Sequence, residues 1–334
     1  MSLSYGETVL SRANARLEER RIQRQARQET LRRQIYEALP EVANIDRKLQ
    51  QTIPQVVAAA FRQGEDPQQA VLRLRQENQT LQQRRVELLR QRGYHARDLE
   101  DNPFCPLCGD SGWRGTSMCS CLRTLCTEEQ IRELSSILNL GAQSFAHFRL
   151  DYYGTDLWGT YGRSPRQNME KMLAFCKNFA KNFGQTQVKN LFFYGSTGLG
   201  KTFLSACIAR EVSEGGFSVV YDTAGIIFSR FEEQKFSRDM QDVREAKDVT
   251  RKYLRCDLLI LDDLGSELTT PFVQSALYQL VNTRLIEGRS TIVSSNFTMD
   301  DLRQRYTPQI ISRLEGEYET LPFFGKDIRL LKKT

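Results

Sequence analysis

The chain has 334 residues, 40% of them hydrophobic, and 47 Lys and Arg against 41 Asp and Glu give a formal net charge of +6. That length suits two domains with sizeable cores. No run of about 18 apolar residues appears, so no membrane span is expected; the opening Met-Ser-Leu-Ser-Tyr-Gly-Glu lacks the apolar core of a secretion signal, which points to the cytoplasm.

Residues 5–39 are rich in Arg, Glu and Gln, with sparse apolar positions that include Leu10, Ala13, Leu17, Leu31, Ile35 and Leu39. This pattern predicts a helix with a thin apolar stripe, stopped by Pro40. Residues 41–62 offer a fuller helical face through Val42, Ile45, Leu49, Ile53, Val56 and Ala60, with Pro54 as a break between two short helices. Gly64-Glu65-Asp66-Pro67 reads as a turn and a helix start. Leu74, Leu81 and Leu88 then repeat every seven residues, but Asn78 and Arg85 hold the alternate seam positions. Polar residues there argue against a coiled coil and for a helical hairpin or small bundle. The first 100 residues hold 18 Lys and Arg against 13 acids, and all but one of the bases are Arg. Such a face suits nucleic acid or an acidic protein, and a solvated helix surface equally. We expect residues 1–100 to be an α-helical partner-binding region.

Four cysteines cluster next, as Cys105-Pro-Leu-Cys108 and Cys119-Ser-Cys121, with Gly109, Gly112 and Gly115 between them. CxxC-x10-CxC suits two tight thiolate turns closing on one tetrahedral Zn²⁺, and an all-cysteine set implies a closed structural site. Residues 101–126 are therefore expected to form a zinc-binding segment, with Cys126 a weaker substitute for Cys121. Cys176, Cys207 and Cys256 sit among apolar neighbours and read as core residues. Residues 127–188 connect the zinc segment to a region of alternating strands and helices that starts at Lys189. Within the connection, 165–183 predicts a helix with Met169, Met172, Leu173, Phe175, Cys176 and Phe179 inward. The aromatic cluster of Phe145, Phe148, Tyr152 and Tyr153 suits one side of an adenine pocket or ordinary packing at the domain's edge. His95 and His147 have no visible triad partner and read as non-catalytic.

From Lys189 onward the elements are strand 190–194, helix 201–214, strand 217–221, helices within 224–254, strand 257–262, helix 271–287 and strand 290–295. That order predicts a parallel α/β sheet with crossover helices over residues 189–334. Gly195-Ser196-Thr197-Gly198-Leu199-Gly200-Lys201-Thr202 is a complete GxxxxGK[ST] phosphate loop between strand and helix. Its backbone N–H groups and helix N-terminus suit the phosphates of ATP; Lys201 suits the β- and γ-phosphates and the Thr202 hydroxyl suits Mg²⁺. The apolar run Leu258-Leu259-Ile260-Leu261 delivers Asp262 and Asp263 to the same crevice. Asp262 fits the metal-holding carboxylate and Asp263 the group that polarises the attacking water, with Glu267 a weaker candidate. Asn296 closes the 290–295 strand, where it would sense the γ-phosphate or hold the water. Arg313, on a helix after that strand, is placed to reach a neighbouring subunit's γ-phosphate; Arg329 is a second candidate. Either arginine fits a surface ion pair as well.

Taken in order, these motifs resemble the AAA+ ATPases of the bacterial replicative-helicase-loader family (DnaC/DnaI type) over roughly residues 100–334. The resemblance is carried by CPLCGDSGW and CSC, the Phe145/Phe148/Tyr153 cluster, GSTGLGKT, LLILDDLGSE, SSNFT and ISRL. It implies that Asn296 is sensor 1, Arg313 a trans-acting finger and Arg329 the sensor-2 arginine, with a truncated helical lid. It further implies binding to a hexameric DnaB-type replicative helicase through the N-terminal helices and zinc segment, self-association on that ring, and a grip on single-stranded DNA. Arg230, Phe231, Lys235, Phe236 and Arg238 lie where such loaders carry DNA-contacting elements, and they also suit an amphipathic surface helix. Two other readings are an IstB-like transposition helper, whose nucleotide core is nearly identical, and a helicase-binding adaptor holding a structural nucleotide.

Overall fold

The computed structural model describes residues 5–52, 54, 67–138, 143–236 and 240–331. The expectations for Ile53, Val56, Ala60, the Gly64–Asp66 turn and Arg238 concern residues outside that set. The chain divides into two units, residues 15–121, and residues 1–14 together with 122–334. Among the described residues no helix is long and apolar enough to cross a membrane.

The 15–121 unit is helical. It takes most of α1 (Glu7–Ala38), then α2 (Pro40–Gln50) and α3 (Pro67–Gln91). Pro40 ends one helix and opens the next, because the first helical position needs no N–H donor. Ile35, Val42, Ile45, Leu88, Leu89 and Leu99 form the core. The seam polar residues of α3 are each matched on α2's side: Thr52 Oγ1 donates to Asn78 Oδ1 (3.0 Å), and Arg85 pairs with Asp46. Together with Arg84–Glu41, these contacts run in opposite chain directions, so α2 and α3 are an antiparallel hairpin. Matched polar pairs fix that register, where a continuous apolar seam would have allowed slippage.

In the other unit, five parallel strands lie in the order β4-β5-β6-β3-β7, with β3 Leu191–Tyr194, β4 Val219–Thr223, β5 Leu258–Leu264, β6 Ser290–Ser295 and β7 Glu319–Pro322. β1 (Trp113–Arg114) and β2 (Ser117–Met118) form a separate hairpin in the helical unit. Side chains alternate across the sheet as period two requires. Leu191, Phe193, Leu258 and Ile260 meet α5 (Pro165–Lys181) and α6 (Lys201–Glu214) in one core. Phe192, Leu259 and Leu261 meet α7 (Ala224–Phe236), α8 (Met240–Arg255), α9 (Pro271–Ile286) and α11 (Pro308–Glu317) in the other. Ahead of these, α4 (Ser120–Leu138) buries Leu134 and Leu138 in the first core, and α10 (Met299–Arg305) buries Leu302 in the second.

Two strand expectations are corrected. β4 begins at Val219, two residues later than expected, because Gly215–Gly216 ends α6 and Ser218 is tied to Asp257 Oδ2 through both its N–H (2.9 Å) and its hydroxyl (2.8 Å). β7 was not expected at all: Glu-Thr-Leu-Pro is too short and too polar to read as a strand, yet it pairs with β3 at the sheet edge, where Pro322 removes no needed donor. Among the described residues, the helix that follows β7 is the one-turn α12 (Ile328–Leu331).

Candidate active site

β3 runs straight into the phosphate loop, and α6 starts at Lys201 behind Gly200. Gly195 has φ +136° and Gly198 φ +74°. A Cβ at the first would collide with the Phe323 carbonyl oxygen, and one at the second with the Asp327 carboxylate, so both positions demand glycine. From the other side, Tyr153 Oη donates to the Leu199 carbonyl (3.0 Å), and Phe148 stacks on the Tyr153 ring at 5.8 Å. Ile328 N donates to Gly198 O (3.0 Å), bringing the last segment onto the loop.

The strand order explains the chemistry. β6 lies between β3 and β5, so Asn296, just after β6, stands between the phosphate loop and the acidic end of β5. Lys201 Nζ donates to the carbonyls of Gly195 (2.7 Å) and Ser196 (2.8 Å) and to Asn296 Oδ1 (2.8 Å). Asn296 Nδ2 donates in turn to Asp263 Oδ1 (2.7 Å). One amide thus joins a cation and a carboxylate. Burial pulls the Lys201 ammonium down to about 8, against the opposing pull of Asp262 and Asp263.

Asp262 is buried and accepts four bonds. Thr202 Oγ1 (3.0 Å) and Tyr221 Oη (2.6 Å) donate to Oδ2, while Asp263 N (3.1 Å) and Ser294 Oγ donate to Oδ1. Asp263 itself has φ +58°, where β5 slips register against β6, and that turn aims its carboxylate into the crevice. Glu267 is engaged elsewhere: Oε2 accepts from Gly265 N (2.9 Å) and Oε1 from the Tyr306 hydroxyl. These bonds hold a loop.

A cavity of about 400 Å³ opens over this network, lined by Thr197–Phe203, Asp263, Asn296 and Arg329 on one side and by His147, Phe148, Tyr152 and Tyr153 on another. The sequence-predicted residues Gly198, Leu199, Gly200, Lys201, Thr202, Asp263, Asn296 and Arg329 therefore meet at one site, with Asp262 directly beneath. Phe148 and Tyr153 pack on the loop and also line the cavity. Arg313 lies half-buried on α11 and is not among the lining residues. Thr202 hydroxyl and Asp262 carboxylate form an oxygen-only pair of the kind that suits Mg²⁺.

The cysteine cluster belongs to the helical unit. The sulfurs of Cys105, Cys108, Cys119 and Cys121 all lie within 4.8 Å of one another, with 3.6 Å between Cys105 and Cys119 and 3.4 Å between Cys108 and Cys121. Tetrahedral Zn–S bonds of about 2.3 Å place sulfurs roughly 3.8 Å apart, so the donor set fits zinc. Asp110, in the left-handed region at φ +63°, accepts from the N–H of Cys105 (2.8 Å) and of Phe104 (3.1 Å), fixing the first turn. A backbone N–H from Cys121 lowers the Cys119 thiol to about 6. Cys126 stands apart, and burial raises its thiol to about 11. Cys176, Cys207 and Cys256 are buried, as expected of core thiols.

Sheet order, phosphate loop and acidic strand end define a P-loop ATPase. Residues 173–330 match the family described as IstB-like ATP binding protein. Over 140 residues the chain is 31% identical to "Replicative helicase loader DnaI" of Bacillus subtilis (strain 168), covering 41% of this chain and 42% of that protein. It is 23% identical over 127 residues to "Replicative helicase loader DnaC" of Escherichia coli (strain K12), covering 38% and 50%. The solved "Crystal Structure of the DnaI" is similar with 23% identity and a TM-score of 0.43, covering 57% of this chain and 93% of that one. The chain spans about half the length of the two curated relatives or less.

Proposed function

We propose that this protein is an ATP-controlled loader of a hexameric DnaB-type replicative helicase onto single-stranded DNA. The observation that carries the reading is the Lys201–Asn296–Asp263 chain, which spans three strands and couples the phosphate loop to the group placed to polarise water. A nucleotide kept only for structure needs no such coupling. The names of the relatives from B. subtilis and E. coli supply the loading role.

In this reading ATP lies along Gly195–Thr202 with its base toward Phe148 and Tyr153. Thr202 and Asp262 hold Mg²⁺, which when bound neutralises charge on the phosphates. Asp263 accepts hydrogen-bonding from the attacking water, Asn296 orients it, and Arg329 and Lys201 balance the charge on the phosphate oxygens. Arg313 acts on a neighbouring subunit's nucleotide. Cys105, Cys108, Cys119 and Cys121 hold Zn²⁺ in the helical unit, which meets the helicase. For DNA, a cavity of about 600 Å³ on α7–α9 is lined by Phe231, Lys235, Lys247, Arg255 and Phe272 among others, with Lys235 Nζ 5.1 Å above the Phe272 ring. Cations beside the half-buried Phe272 ring suit a sequence-indifferent grip on backbone and bases.

The family match favours one second reading, a helper of a transposase. Affinity capture from the source genome's own replicative helicase, followed by helicase transfer onto a single-stranded circle with ATP, tests the first. Capture of a transposase with no helicase binding would replace it with the second. Phosphate release with and without single-stranded DNA separates an ATPase switch from an adaptor; no turnover in either condition would sink the switch.

A further inference from the structure

Tyr221 has no place among the phosphate-loop motifs, yet its hydroxyl touches the carboxylate on which metal binding depends. It sits on β4 opposite Ile260 of β5, and from there Oη reaches past the strand to donate to Asp262 Oδ2 at 2.6 Å. The same oxygen accepts from Thr202 Oγ1 at 3.0 Å. Tyr221 is 7% exposed and Asp262 4% exposed, so water does not compete for this bond. The next residue, Asp222, points to the opposite face, where it accepts from Tyr253 Oη at 2.7 Å. β4 is thus hydrogen-bonded through side chains on both faces.

We infer that Tyr221 is a positioning residue for the bound Mg²⁺, acting through Asp262. The inference rests on the metal-holding role proposed above for Asp262. A carboxylate that steers a metal through water must present a fixed plane. Two donors to Oδ2 and two to Oδ1 leave Asp262 no rotational freedom. Of the four, Tyr221 alone comes from β4, beyond the phosphate loop, β5 and β6, so it holds the carboxylate from the far side. Outer partners of this kind commonly tune metal affinity by about 10- to 100-fold.

The test compares wild type, Tyr221→Phe, Asp262→Asn and the double variant, all as the full chain. A fluorescent ATP analogue is titrated in EDTA and then at rising Mg²⁺. Tyr221→Phe keeps the ring in its apolar seat, and a circular-dichroism melt checks the fold. In EDTA the Tyr221→Phe variant is expected to bind the analogue as wild type does. Its Mg²⁺ requirement for half-maximal tightening should rise about tenfold, and the double variant should be no worse than Asp262→Asn. Tyr221→Phe following the wild-type Mg²⁺ curve, or effects of the two substitutions that simply add, would overturn the inference. A wild-type Mg²⁺ curve in Asp262→Asn would instead overturn the metal-holding role of Asp262, and Tyr221's with it. A purely structural tyrosine would lower the melting temperature and weaken binding in EDTA, without moving the Mg²⁺ midpoint.

Discussion

Asp263→Asn isolates the water-polarising role, because almost everything else at that position survives. Asp263 lies at φ +58°, and Asn is among the few residues that accept the left-handed region nearly as readily as Asp. The Asn side-chain carbonyl can still accept from Asn296 Nδ2, a bond of 2.7 Å with the native carboxylate. What disappears is the negative charge and its basicity. General-base assistance contributes about 10²- to 10⁴-fold, or roughly 2.7–5.5 kcal/mol of barrier at 1.36 kcal/mol per decade. Turnover at saturating ATP should fall by that factor while stability moves by less than about 1 kcal/mol. A residue that resists this backbone, Val for instance, would add about 1–2 kcal/mol of strain. Steady-state phosphate release, equilibrium ATP binding and a thermal melt give the three numbers. Turnover within threefold of wild type at unchanged affinity would refute the role. Glu267 could not simply inherit it, since both its oxygens are bonded into the Gly265–Tyr306 loop.

The Lys201 ammonium, lowered to about 8 by burial, binds phosphate only while protonated. Below pH 8 nucleotide affinity should be flat; above it affinity should fall by up to about tenfold per unit until the phosphate-raised value of the complex is reached. Titrating a fluorescent analogue from pH 6.5 to 9.5 checks this, and a decline that begins only near 10 would contradict it. Protein purified under reducing conditions should carry one Zn²⁺ per chain; Cys121→Ser or strong chelation should remove it and disorder the 101–121 turns while ATP binding persists. Metal analysis finding no zinc would refute the site. Arg313→Ala and Lys201→Ala should each be inactive alone and regain part of their turnover when mixed, because neighbours can then pair an intact finger with an intact loop. Mixtures that co-assemble and stay inactive at every ratio would exclude action in trans.

Much of the nucleotide site is legible in the sequence because its constraints are local. A phosphate loop needs its glycines at fixed offsets, and an apolar strand ending in two carboxylates needs only one element. The pairing of Asn78 and Arg85 was less visible, since seam polarity reveals an obstacle to a coiled coil but not the Thr52 and Asp46 that answer it. Long-range partners were harder still. Arg284 is fully buried, with its guanidinium donating to the carbonyls of Tyr253 (2.6 Å), Cys256 (3.0 Å) and Ser290 (2.6 Å). It ties the end of α8 to the starts of β5 and β6, and nothing in its neighbourhood along the chain distinguishes it from a surface arginine of α9. Tyr221 likewise reads as an ordinary apolar strand residue. Its hydroxyl matters only because the sheet order sets β4 beside β5.

The same sheet order decides how nucleotide and catalytic machinery constrain one another. An ammonium has three protons, and those of Lys201 have three acceptors, the carbonyls of Gly195 and Ser196 and the side chain of Asn296. A phosphate drawn to Lys201 must displace at least one of them. Moving either carbonyl means reshaping a loop clamped by Phe323, Asp327 and Tyr153. Rotating the Asn296 amide costs far less, since it is a side chain at a strand end, and Asn296 is also the residue that bonds Asp263. Displacement at the phosphate loop therefore acts first on the partner of Asp263, the carboxylate proposed to polarise the water. In the proposed function, sensing of the nucleotide and preparation of its hydrolysis would be one event at one amide, the coupling that a switch driven by ATP requires.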